Sequence, residues 1–132
     1  MPESAKPRMA VIGLGSMGYG MATSLRRAGF EVTGCDVAAD SVARFVADGG
    51  KGAKTPAEAA KDADIVVSVV VNGAQTDTIL FGANGVADTL APGAVFISSA
   101  TMDPDVARCL AGQLEATGRH YLDAPISDGA QR

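Results

Sequence analysis

The stretch Ala10-Val11-Ile12-Gly13-Leu14-Gly15-Ser16-Met17-Gly18-Tyr19-Gly20-Met21-Ala22, running on to Cys35-Asp36, decides the fold. Its apolar run from Met9 to Ile12 reads as a buried strand, Gly13-x-Gly15-x-x-Gly18 as a tight turn, and Met17 to Ala28 as the helix behind it. Gly13 permits the turn, Gly15 lets the backbone approach a pyrophosphate, and Gly18 lets helix and strand pack closely. The unpaired N–H groups and positive dipole end of that helix then face the phosphates, with Leu14, Ser16 and Met17 on the same turn as further cofactor contacts. Phe30 to Cys35 reads as the next strand. Asp36 at its end lies close to the expected spacing of about 20 residues, where a carboxylate accepts hydrogen bonds from an adenosine ribose. A 2′-phosphate there would meet its negative charge, and no Arg follows in Val37-Ala38-Ala39, so the pattern predicts NAD in preference to NADP.

Composition bounds the rest. At 132 residues with 47% hydrophobic content, the chain can bury one sizeable core. Residues 1–8 read as a flexible N-terminus and 9–132 as one domain. A formal charge of −4 gives no general attraction to nucleic acid. Met1 to Arg8 lacks the apolar core of a secretory signal, and the apolar stretch from Ile65 to Val71 is too short to span a membrane, so neither nucleic acid nor membrane is expected as a partner. A soluble, cytoplasmic protein is predicted. Cys35 and Cys109 fall in a predicted strand and helix, which predicts two buried reduced thiols and neither a disulfide nor a metal site.

Beyond Asp36, strand and helix alternate without a linker or repeat, which predicts a parallel, doubly wound α/β sheet. Asp40 to Asp48 reads as a helix with Val42, Phe45 and Val46 on one face, closed by Gly49-Gly50. A short strand follows near Gly52 to Lys54, and Thr55-Pro56-Ala57-Glu58 is a capping box opening a brief helix to about Asp62. Ile65 to Val71 is β-branched and apolar on both faces, as a central parallel strand requires. Gln75 to Phe81 reads as helix, Ala94 to Ser98 as strand, and Asp103-Pro104 starts a helix through Glu115 whose Val106, Leu110 and Leu114 share a face. Arg119 to Asp123 is a sixth strand. The loops beginning near Gly13, Asp36, Asn72, Ser99 and Ala124 should share one crevice at the carboxyl ends of the strands.

Three segments carry a more specific signal. Ile12 to Ala22, Ser98-Ser99-Ala100-Thr101-Met102-Asp103-Pro104 and Leu122-Asp123-Ala124-Pro125-Ile126-Ser127 resemble, in order, signature segments of the β-hydroxyacid dehydrogenases. The resemblance covers nearly the whole chain from Met9 on and implies a Rossmann-type domain with NAD as cofactor. It further implies that Val70, Val71 and Asn72, with Gln75 on the helix that follows, line the ribose and nicotinamide side, and that Thr101 lies near the nicotinamide. Ser127, followed by Asp128 and Gly129, matches the loop that holds a substrate carboxylate. The activity implied for the complete protein is NAD-dependent oxidation of a small hydroxy acid, with four-carbon sugar acids such as L-threonate first. The alternatives are tartronate semialdehyde reduction, 3-hydroxyisobutyrate oxidation, or an NAD-binding module without catalysis. A homo-oligomer is expected at full length.

Three departures from the family pattern stand out. Ser24 replaces the usual Asn of the first motif. Asp128 replaces a glycine free to adopt positive φ and adds a negative charge beside the expected carboxylate. The family's general acid/base is a Lys on an all-helical domain that lies beyond these residues, and none of Lys6, Lys51, Lys54 and Lys61 matches it. No catalytic residue is therefore assigned, and residues 1–132 alone are expected to be inactive.

Overall fold

The computed structural model describes residues 7–61, 63–69, 73–82, 85–87, 89–99 and 104–123. Six strands form one sheet: β1 (Arg8–Ile12), β2 (Glu31–Cys35), β3 (Lys51–Ala53), β4 (Ile65–Ser68), β5 (Val95–Ser98) and β6 (His120–Asp123). Their order is β3-β2-β1-β4-β5-β6, and every pairing is parallel. The helices are α1 (Ser16–Arg27), α2 (Ala39–Ala47), α3 (Pro56–Ala60), α4 (Gly73–Phe81) and α5 (Pro104–Glu115). This is the doubly wound α/β architecture expected from the alternation of elements.

Strand alternation sends successive side chains to opposite faces, and the register turns this into two cores. Ala10, Ile12, Val66, Phe96 and Tyr121 share one face and pack with Ala59 and Ala60 of α3, Ile79 and Leu80 of α4, and Leu110 and Leu114 of α5. Met9, Val11, Val32 and Val67 share the other and pack with Ala22 of α1 and Phe45 of α2. Tyr19 on α1 donates its hydroxyl hydrogen bond to Asp48, and the Arg44 guanidinium lies 4.3 Å from its ring centre, so α1 and α2 are also tied along their outer surface.

Several expectations need correction. Arg8, assigned to a flexible terminus, is the first residue of β1, and its N–H bonds to Asp64 Oδ2 at 2.9 Å. The strand expected to reach Val71 ends at Ser68. Val69, one residue past the strand, still donates to Ile12 O at 2.7 Å. Val46 is 47% exposed although its Cγ2 packs over Gly52, 2.9 Å from where a Cβ there would stand, because α2 lies over the edge strand β3. Val106 is likewise outside the core, and Ala107 takes its place beside Leu110 and Leu114. Steps of four residues drift about 40° each around a helix, so a stripe centred on Leu110 and Leu114 leaves Val106 on its margin. Cys109 is exposed, and only Cys35 is a buried thiol. Position 109 precedes Leu110 by one residue, which turns it toward solvent, where Gln113 Nε2 donates to its sulfur at 3.1 Å.

Candidate functional site

Strand order reverses between β1 and β4, so the chain leaves their carboxyl ends in opposite directions and a crevice opens there. It is a cleft of about 530 Å³ whose lining includes Gly13, Gly15, Asp36, Val69 and Gln75. Gly13 holds φ at +103°, and a Cβ on it would stand 2.2 Å from the Val69 carbonyl oxygen. A Cβ on Gly18 would stand 1.8 Å from the Gly13 carbonyl oxygen. Both positions require glycine for the protein's own packing. Gly15 differs: apart from its chain neighbours, none of the described residues comes within 4 Å of a Cβ built there, although its φ of −69° suits any residue. The glycine leaves space open at the mouth of the cleft.

That space lies at the start of α1. Gly15 is the N-cap, it supplies no side-chain cap, and no acidic residue occupies the first turn. The N–H groups of such a terminus favour an anion. These residues therefore fit a dinucleotide: a cradle free of side chains, donors at a positive dipole end, and a carboxylate further along the same cleft. Asp36 is held in place by its surroundings, Oδ2 accepting from Leu14 N at 2.5 Å and Oδ1 from Ala38 N at 2.8 Å. Beneath it, burial pushes the Cys35 thiol up to about 11, with smaller contributions from the negative charges of Asp36 and Glu58. That thiol stays protonated and chemically quiet at neutral pH.

Of the residues read from sequence as cofactor contacts, Gly13, Gly15, Asp36 and Gln75 line the cleft. Leu14 does not present its side chain there. It is 2% exposed and packs in the α1–α2 core beside Gly34 and Phe45, leaving only its backbone near the cleft. Met17 is 47% exposed and Gly18 serves helix–turn packing, while Ser16 opens α1. Val70, Val71, Asn72, Thr101, Ser127, Asp128 and Gly129 lie outside the described residues. The structure adds Val37, Lys54, Pro56, Thr78 and Ile79, which sequence reading passed over. Lys54 and Pro56 follow β3, and pairing β3 beside β2 would have brought them next to Asp36; the sequence showed the strand without its neighbour.

Among the described residues no helix is long and apolar enough to cross a membrane, and no three His, Cys, Asp or Glu side chains gather as a metal site. Comparison with known proteins agrees with the geometry. Over 124 residues the chain is 47% identical to the L-threonate dehydrogenase of Cupriavidus necator, covering 94% of this chain and 42% of that protein. It is 39% identical over 131 residues to the L-threonate dehydrogenase of Haemophilus influenzae, covering 98% and 44%. The crystal structure of a 3-hydroxyisobutyrate dehydrogenase from Salmonella typhimurium superposes with a TM-score of 0.88 at 37% identity, covering 96% of this chain and 44% of that one. The chain thus spans about two fifths of the length of the curated relatives it matches. Residues 8–132 match the family model described as the NAD binding domain of 6-phosphogluconate dehydrogenase, and with its glycine turn, six parallel strands and open cofactor cradle the chain belongs to that family, among the β-hydroxyacid dehydrogenases.

Proposed function

We propose that this chain holds NAD in the cleft at the β1–β4 switch point and that its complete protein oxidises a short hydroxy acid, with L-threonate as the first candidate. The observation that carries the reading is the pairing of an open Gly15 at an uncapped helix start with a carboxylate on the same cleft. Bound NAD supplies the hydride-accepting nicotinamide. The start of α1 takes the pyrophosphate, and Asp36, fixed by Leu14 and Ala38 N–H, accepts an adenosine ribose hydroxyl. Asp36 supports NAD over NADP. L-Threonate is favoured over 3-hydroxyisobutyrate by the higher identity to the Cupriavidus enzyme, and both substrates share the hydroxyl and carboxylate that such a site needs.

Val70, Val71, Asn72 and Thr101 complete the nicotinamide side in this reading, and Ser127, Asp128 and Gly129 meet the substrate. Oxidising a secondary alcohol also requires a base for the hydroxyl proton, and the family resemblance places that Lys outside residues 1–132. A small hydroxy acid and a second copy of the complete protein are the partners proposed. The test is a pair of measurements. Titration of the chain with NADH should give saturable binding, and NADH formation with L-threonate should appear for the complete protein and be absent for residues 1–132. No cofactor binding by the 132-residue chain would overturn the first half, and robust turnover by it alone would overturn the second.

A further inference from the structure

The register of β2 and β3 ends with Cys35 beside Ala53, so the next residues, Asp36 and Lys54, leave the two strands side by side. Both line the cleft. Their side chains differ in how they are held. The Asp36 carboxylate accepts two backbone N–H bonds. Lys54 gives its backbone N–H to Glu58 Oε1 at 2.7 Å, but its ammonium has no hydrogen bond or ion pair among the described residues. Lys51, three residues earlier, is paired with Glu31 at 2.8 Å. The rim where the cofactor reading places the adenosine ribose thus carries a fixed carboxylate and an uncommitted cation.

These two charges act oppositely on the ribose 2′ position. A 2′-hydroxyl donates to Asp36 and, being neutral, gains far less from an ammonium than an anion does. A 2′-phosphate carries close to two negative charges, is repelled by Asp36 and is attracted by Lys54. We propose that Lys54 is a specificity-determining residue that offers a ready-made contact for an adenosine 2′-phosphate, so that Asp36 alone keeps NADP out. The inference rests on the cofactor reading above. It implies that neutralising one carboxylate converts the site without any added Arg, because the cation is already in place on the neighbouring strand.

The experiment is fluorescence titration of NADH and NADPH into the wild-type chain, Lys54→Ala, Asp36→Asn, and the Asp36→Asn/Lys54→Ala double variant. Asp36→Asn keeps an oxygen for one of the two amides that hold the turn and turns an NH2 toward the other, and Asp36→Ala serves as the more drastic companion, with circular dichroism confirming that each variant is folded. In Asp36→Asn, NADPH should bind about tenfold more tightly than in wild type, and the double variant should lose that gain. NADPH binding to Asp36→Asn should also weaken more steeply with added salt than binding to the double variant. NADH affinity should change less in Lys54→Ala than NADPH affinity does between Asp36→Asn and the double variant, because an ammonium meets a neutral 2′-hydroxyl in the first case and a dianionic phosphate in the second. Absence of NADH binding by the wild type would defeat the cofactor reading itself. Normal NADH binding, with NADPH affinity the same in Asp36→Asn and the double variant, would defeat the role of Lys54 alone.

Discussion

A Cβ on Gly13 would sit 2.2 Å from the Val69 carbonyl oxygen at a φ of +103°, whereas one on Gly15 would meet nothing within 4 Å among the described residues beyond its chain neighbours. The two substitutions should therefore separate folding from binding. Gly15→Val should unfold as cooperatively as wild type and lose NAD binding, because the added methyls fill only the space left for the pyrophosphate. Gly13→Val should lose stability outright, since the turn cannot keep its backbone and clear the carbonyl. Denaturant unfolding and NADH titration on both variants check this, and equal loss of stability in the two would assign Gly15 a structural role. Cys35 supplies a pH-dependent expectation. Its thiol is raised from its ordinary 9.0 to about 11, so below pH 9 it is protonated in both folded and unfolded chains and its contribution is complete. Between pH 9 and 11 the unfolded chain ionises first, and about 2 kcal/mol of stability should be lost from this group. Urea unfolding at pH 8.5 and 10.5 should show that loss in wild type and a smaller one in Cys35→Ala.

Helix α5 shows how an element's phase is settled by the surface it meets. The sequence spacing favours Val106, Leu110 and Leu114 as one face, but Ala107 is buried while Val106 is 41% exposed. Leu110→Ala should cost about 2–5 kcal/mol by leaving a cavity above β5 and β6, whereas Val106→Ala should fall within about 0.5 kcal/mol. Similar losses in the two variants, measured by urea unfolding, would return Val106 to the core. Helix α3 is the opposite case, because its start was legible in all but one partner. Thr55 Oγ1 accepts from Glu58 N at 3.1 Å, and the Glu58 side chain returns to Lys54 N at 2.7 Å, one residue before the cap itself. Thr55→Ala should cost about 1 kcal/mol, read from the same unfolding curves. The difference between α5 and α3 is range: a cap is made by residues three apart, while a buried stripe depends on which strands lie beneath it.

The two cores are joined through the sheet, and the cleft lies where the loops from β1, β2, β3 and β4 converge. A ligand bound there ties both halves together, so NAD at about 100 times its dissociation constant should raise the unfolding free energy by about 2.7 kcal/mol and shift Tm upward. A thermal melt with and without NAD measures it, with Gly15→Val as the variant that should not respond. The glycine turn, the strand–helix alternation, the acidic end of β2 and the α3 cap were all readable in the chain. Each depends on backbone conformation or on residues near one another in sequence, where chemistry and spacing are enough. The burial of Leu14, the outward turn of Val46, Val106 and Cys109, and the arrival of Lys54 beside Asp36 were decided only by tertiary structure. Each depends on which strand is an edge and which strands are neighbours, and hydrophobic period carries no record of either. The placing of a carboxylate at the end of one strand and a cation at the end of the next arises from register between segments 18 residues apart, a relation that exists only once the sheet has formed.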